Sequence, residues 1–140
     1  MRRANADHSI DIFLQPGEHF VGDARYRVRT LLGSCVSITI WHPARRVGAM
    51  SHFLLPSRNG PAAVLDGRYG ADVMKMMLLG LAAIKVQADA CVGKIFGGGN
   101  MFPGQTRADA RNVGIKNGEA ARALLGAHGI PVISESLFGI

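Results

Sequence analysis

A chain of 140 residues is long enough for one well-buried domain and too short for two. With 48% hydrophobic and 19% charged residues it calls for a packed core, which excludes a disordered or low-complexity chain. The net charge of +6 suits an anionic partner, but no zinc-ligand spacing or base-stacking motif accompanies it, so no nucleic-acid partner is expected.

The first twelve residues read as a loose arm leading into a short edge element, and MRRANADHS has no apolar stretch resembling a secretory leader. Gln15-Pro16-Gly17 marks a turn. In Tyr26–Leu32, Arg27 and Arg29 alternate with Val28 and Thr30, the pattern of a strand with one wet face. Gly33-Ser34 breaks it. Val36–Trp41, reading VSITIW, is the strongest strand signal because β-branched residues dominate it. His42-Pro43-Ala44-Arg45 suits a type I turn, and Val47–Phe53 reads as the returning strand. Ser57–Pro61 is a surface loop.

From Tyr69 the period changes. Val73, Met77, Leu81 and Ile84 fall on one stripe of a helix ending near Gln87-Ala88, with Met74, Met76 and Met77 as core filler. The apolar run Met76–Ile84 is too short to span a membrane, so no membrane insertion is expected and the chain is read as cytoplasmic. Cys91–Phe96 reads as a short buried strand running into Gly97-Gly98-Gly99. Asn117 is read as the N-cap of a second helix reaching His128, closed by Gly129 with Pro131 beyond. Pro131–Ser134 starts a last strand. Hairpins early and a crossover later give a mixed α/β (α+β) sandwich with two main helices, one domain over residues 1–140.

The two cysteines differ in setting. Cys91, between Ala90 and Val92, reads as a core thiol, and no disulfide is expected. Cys35 sits where a strand resumes after Gly33-Ser34. If the turn pairs Trp41 with Arg46, the same register sets Cys35 opposite His52, on one face of the sheet. The bend can fold the preceding strand back, so that Thr30 orients the second ring nitrogen of His52. These residue types suit attack on a side-chain carboxamide. A neighbouring imidazolium would favour the thiolate, and His52 would protonate the departing ammonia and then activate water. An amide N–H near Gly33 and Ser34 would hold the oxyanion. The same residues also permit a plainer reading: a small buried thiol and a structural histidine.

Gly97-Gly98-Gly99-Asn100 lacks the Lys-Ser/Thr of a phosphate loop and reads as a strand end whose backbone approaches the cleft. Asn100 either offers an amide to the substrate or caps the turn. Gly33, Ser34, Gly98 and Asn100 are therefore the candidates for substrate or oxyanion support. His8, His19, His42 and His128 show no metal-ligand spacing, and neither a metal nor another cofactor is expected.

These residues lie in stretches that together resemble the CheD family of chemoreceptor glutamine deamidases. The stretches are TLLGSCVSITIWHP from Thr30 to Pro43, GAMSHFLLP from Gly48 to Pro56, YGAD from Tyr69 to Asp72, KIFGGGNMF from Lys94 to Phe102, RNV from Arg111 to Val113 and GIPVISE from Gly129 to Glu135. The resemblance implies a three-layer α/β sandwich, with Cys35 as nucleophile, His52 as base and Thr30 completing a triad. It implies conversion of receptor glutamine to glutamate and ammonia through a cysteine thioester. Implied partners are methyl-accepting chemotaxis receptors and, for some members, a CheC-type phosphatase, with the protein in the cytoplasm beside receptor arrays. Two departures stand out. Ala108-Asp109-Ala110-Arg111-Asn112 replaces the usual I-G-x-R-N, and Glu135–Ile140 replaces a glycine-rich acidic tail. They keep open an alternative, a catalytically inactive adaptor that binds receptor or a CheC-type phosphatase.

Overall fold

A computed structural model describes residues 2–4, 9–58, 60, 64–97 and 107–137. Among these, the elements follow as β1 (Arg2–Ala4), β2 (Ile10–Leu14), β3 (His19–Asp23), β4 (Tyr26–Thr30), β5 (Val36–His42), β6 (Val47–Ser51), α1 (Gly70–Ala83), β7 (Val92–Gly97), α2 (Arg107–Ala127) and β8 (Val132–Ser136). The order β3-β6-β5-β7-β8 makes a five-stranded sheet, antiparallel except where the α2 crossover brings β8 parallel to β7. β1, β2 and β4 make a smaller sheet, with β2 parallel to β4.

The alternation in β5 decides which face is dry. Val36, Ile38 and Ile40 are buried with Ala49 and Ile95 against Val73, Met77 and Leu81 of α1 and Ala121 and Leu125 of α2. Burying each large aliphatic side chain stabilises by about 1.5–3 kcal/mol, so a one-residue slip that turned all three outward would cost several such terms. On the opposite face Phe20 of β3 meets Tyr26 of β4, ring centroids 5.0 Å apart. Tyr26 and Val28 also line a groove of about 390 Å³ with Thr39, Trp41 and Met50. Helices, large sheet and small sheet are thus the three layers. At the start of α1, Asp72 accepts the Asp66 N–H (2.9 Å) and pairs with Arg58, which hold its carboxyl below the ordinary range and tie the loop after β6 to the helix. No helix among the described residues is long and apolar enough to cross a membrane.

Several boundaries depart from the sequence reading. The expected loose arm contains β2, whose Leu14 is buried beneath the small sheet. β3 has no strong sequence signal, since His19, Gly22 and Asp23 dilute its alternation. The first helix stops at Ala83, short of Gln87-Ala88. There Lys85 takes a left-handed backbone (φ 61°), and the Lys85 and Val86 N–H groups donate to the Ala82 and Leu81 carbonyls. That closure normally uses glycine. The second helix ends as expected at left-handed Gly129 (φ 69°) but begins at Arg107, so Asn117 lies in its interior and is not its N-cap. Gly114 and Gly118 weaken the local helix signal on either side of Asn117, which hides the earlier start from the sequence.

The β5–β6 loop keeps its expected four residues but sits one position further along the chain, at 43–46. His42 pairs with Val47, and Arg46, at a left-handed φ of 55°, closes the loop by donating its N–H to the His42 carbonyl at 2.8 Å. Trp41 therefore opposes Gly48, not Arg46. Glycine is required there, because a Cβ would lie 2.4 Å from the Ile40 carbonyl oxygen and 2.8 Å from the Trp41 ring.

Candidate active site

The β5–β6 ladder is interrupted close to where β5 begins. Ser51 Oγ accepts the Ile38 N–H at 3.1 Å, replacing a backbone partner. Pairing resumes at Val36 and Phe53, whose amides exchange hydrogen bonds of 3.1 and 3.0 Å. Between these points the His52 backbone turns to another neighbour: its N–H donates to Glu18 (3.2 Å), and its carbonyl accepts from Gly17 (2.8 Å). The register is the same on both sides, Thr39 opposing Met50 and Val36 opposing Phe53. Ser37 therefore stands opposite His52, and Cys35 lies one step further, diagonal to it. The expected direct opposition of Cys35 and His52 is corrected to this diagonal, where neighbours stand about 7–8 Å apart. A two-residue displacement keeps a side chain on the same face, so the convergence survives the shifted loop.

Thr30 reaches this point from the smaller sheet rather than by folding back beside β5. Its hydroxyl lies 2.7 Å from His52 Nδ1 and 2.8 Å from the Leu14 carbonyl oxygen. A carbonyl only accepts, so the single hydroxyl proton goes to Leu14. Thr30 Oγ must then accept from Nδ1–H, which fixes the tautomer and leaves a bare lone pair on Nε2. His52 is only 2% exposed, and Nε2 has no hydrogen-bond partner among the described residues. Cys35 is a free, half-buried thiol and makes no hydrogen bond to it. Burial pushes the Cys35 thiol up and the His52 imidazole down from their ordinary values. Both shifts run toward the neutral thiol and the neutral imidazole, opposite to the imidazolium support for a thiolate expected from the sequence.

Asn117 supports the site from the helix side. It is fully buried, and its Nδ2 donates to the Leu54 carbonyl at 2.8 Å and the Ser34 carbonyl at 3.3 Å. One amide thus ties the residue before Cys35 to the segment just after His52. β7 also arrives here, since its last residue, Gly97, pairs with Val36. Among the described residues no cluster of His, Cys, Asp or Glu is arranged to hold a metal ion.

The family model described as CheD chemotactic sensory transduction matches residues 54–140. The probable chemoreceptor glutamine deamidase CheD 2 of Albidiferax ferrireducens is 65% identical over 133 residues, covering 94% of this chain and 77% of that protein. The chain belongs to the CheD family. The probable chemoreceptor glutamine deamidase CheD 3 of Dechloromonas aromatica is 41% identical over 130 residues, 92% of this chain and 76% of that protein. Its counterpart from Pseudomonas syringae pv. tomato is 39% identical over 130 residues, with coverage of 92% and 77%. The family model begins beyond Thr30, Cys35 and His52, but an alignment over 94% of the chain leaves too few residues at either end to omit them.

Of the residues singled out in this CheD chain, Thr30 and His52 are in direct contact, and Cys35 shares their face without bonding to either. The Ser34 carbonyl is taken by Asn117, and a side chain added at Gly33 would meet nothing within 4 Å, leaving open space near Cys35. Gly98 and Asn100 lie outside the described residues. Asn117 is the functional side chain that the sequence reading misplaced. Its signal was its place on one helical stripe with buried Ala121 and Leu125.

Proposed function

We propose that this chain is a protein-glutamine deamidase that acts on chemoreceptors, with Cys35 as nucleophile, His52 as proton carrier and Thr30 as the group that orients His52. The observation that carries this reading is the hydrogen-bond chain Leu14–Thr30–His52, which leaves Nε2 as a base on the sheet face shared with Cys35. The substrate class follows from the relatives, each described as a probable chemoreceptor glutamine deamidase. Action on the receptors' cytoplasmic helical region would place the protein in the cytoplasm beside receptor arrays, with a CheC-type phosphatase as a further partner.

In this mechanism Nε2 takes the Cys35 S–H proton as sulfur attacks the glutamine Cδ. The Cδ–N bond then breaks, the proton passes from His52 to ammonia, and a thioester remains. Water adds to the thioester carbon and gives its proton to Nε2. The C–S bond breaks, glutamate leaves, and the thiol is restored. No step changes an oxidation state, so the chemistry requires no redox cofactor. The Val36 N–H is committed to Phe53, which leaves the Cys35 N–H as the nearby amide for the developing oxyanion.

Intact-mass measurement of a receptor cytoplasmic fragment tests the reading. Wild type should add about 1 Da per modified site, localised to glutamine, and Cys35→Ala should add none. No gain with wild type would favour the inactive adaptor. The pH profile offers a second check. Because burial lowers the His52 pKa and Nε2 must be unprotonated, kcat/KM should fall only as pH drops through a value below the ordinary imidazole range of about 6.5. An acid limb in the thiol range, near about 8.5, would show that prior ionisation of Cys35 governs the rate instead.

A further inference from the structure

Ser37 and His52 oppose each other, and each carries a buried polar atom without a hydrogen-bond partner among the described residues: Ser37 Oγ and His52 Nε2. Ser37 is 0% exposed, so solvent does not satisfy its hydroxyl. Leaving such a group unpaired costs about 1–3 kcal/mol, and alanine would fill the strand position without that cost. The two atoms do not bond to each other. Buried polar atoms without a protein partner are ordinarily satisfied by ordered water, and these two stand on opposed residues. Cys35 lies two residues before Ser37, immediately ahead of β5, so its acyl group would form beside that site.

We infer that Ser37 is a positioning residue for the hydrolytic water, which it holds jointly with His52 Nε2. The inference rests on the deamidase reading. The tautomer set by Thr30 gives the two partners complementary parts. Nε2 accepts a hydrogen bond from the water, and the Ser37 hydroxyl donates to the water oxygen, leaving a lone pair to meet the acyl carbon. In the second half-reaction the water O–H proton moves to Nε2, the C–O bond forms and the C–S bond breaks. The proton then returns from His52 to Cys35 sulfur. Ser37 neither gains nor loses a proton. It has no part in the first half-reaction, where the nucleophile is sulfur.

That asymmetry supplies the test. With a receptor fragment as substrate, Ser37→Ala should release ammonia in the first turnover at the wild-type rate. Its steady-state turnover should fall on the order of 100-fold, the usual effect of a misplaced reactant. A covalent enzyme–receptor adduct should accumulate in the intact-mass spectrum. Hydroxylamine, which attacks the thioester without needing a held water, should restore turnover and yield the hydroxamate. A merely structural loss would slow both half-reactions and would not respond to hydroxylamine, and that result would overturn the inference. So would wild-type turnover of Ser37→Ala without adduct, which leaves the deamidase reading standing. Absence of ammonia from the wild-type protein would overturn both. A high-resolution crystal structure of the unmodified protein gives an independent check. A water within hydrogen-bond distance of both Ser37 Oγ and His52 Nε2 supports the inference, and a direct Ser37–His52 bond overturns it.

Discussion

Thr30→Val is expected to lower kcat on the order of 100- to 1,000-fold, with a smaller change in KM and a folded protein. The substitution is nearly isosteric but removes the oxygen that accepts from His52 Nδ1–H at 2.7 Å. Without it the imidazole is free to carry its proton on Nε2, where it cannot take one from sulfur. An ionised orienting carboxylate also stabilises the imidazolium formed in the transition state, and its loss costs more. Thr30 is neutral and supplies orientation and tautomer only, hence the lower figure. The lost hydrogen bonds to Leu14 and His52 should together destabilise the fold by about 1–3 kcal/mol, readable as a shift in the urea midpoint. Thr30→Ser keeps the hydroxyl and should stay within a few-fold of wild type. If Thr30→Val turned over receptor glutamine as fast as Thr30→Ser, the tautomer would not be set by this contact.

Much of this arrangement is legible in the sequence because it follows local periodicity. In Val36–His42 the β-branched Val36, Ile38 and Ile40 recur at every second position, favour the pleat and all find the core. Gly129 announces the end of α2 because glycine is the ordinary residue at a left-handed closure. The sequence is silent where a residue other than glycine takes that conformation. Arg46 moves the hairpin loop one residue along, and Lys85 stops α1 early, both at positive φ. The two turns are linked, since Arg45 Nη1 donates to the Lys85 carbonyl at 2.8 Å. A contact across 40 positions of sequence leaves no local trace. The site tolerates the hidden shift of the loop because the displacement between the strands is even, so Cys35, Ser37 and His52 keep one face. The contact between Thr30 and His52 was legible as chemistry but not as architecture, because it spans two sheets.

Asn117 is where local and tertiary readings disagree most, and two substitutions separate them. Asn117→Leu should destabilise the protein by about 1–3 kcal/mol and lower turnover on the order of 100-fold. The stability loss is limited because Asn117 Oδ1 is itself buried without a partner, and leucine removes that liability. What remains is the cost of leaving the Leu54 and Ser34 carbonyls unbonded. The larger effect on rate follows from Ser34, which is adjacent to Cys35: a small shift there moves the sulfur relative to Nε2. Asn117→Asp is the sharper variant. At a helix N-cap aspartate serves as well as asparagine, and the substitution would be neutral. In the interior of α2 it removes the Nδ2 donor that two carbonyls share and sets a carboxylate against them. It should therefore cost more than the leucine variant, about 3 kcal/mol or more, unless the carboxyl is protonated. Because protonation supplies a donor again, the urea midpoint of Asn117→Asp should recover toward wild type as pH falls toward the carboxyl range. A midpoint equal to wild type at neutral pH would mean that Asn117 does not bridge the two strands beside Cys35.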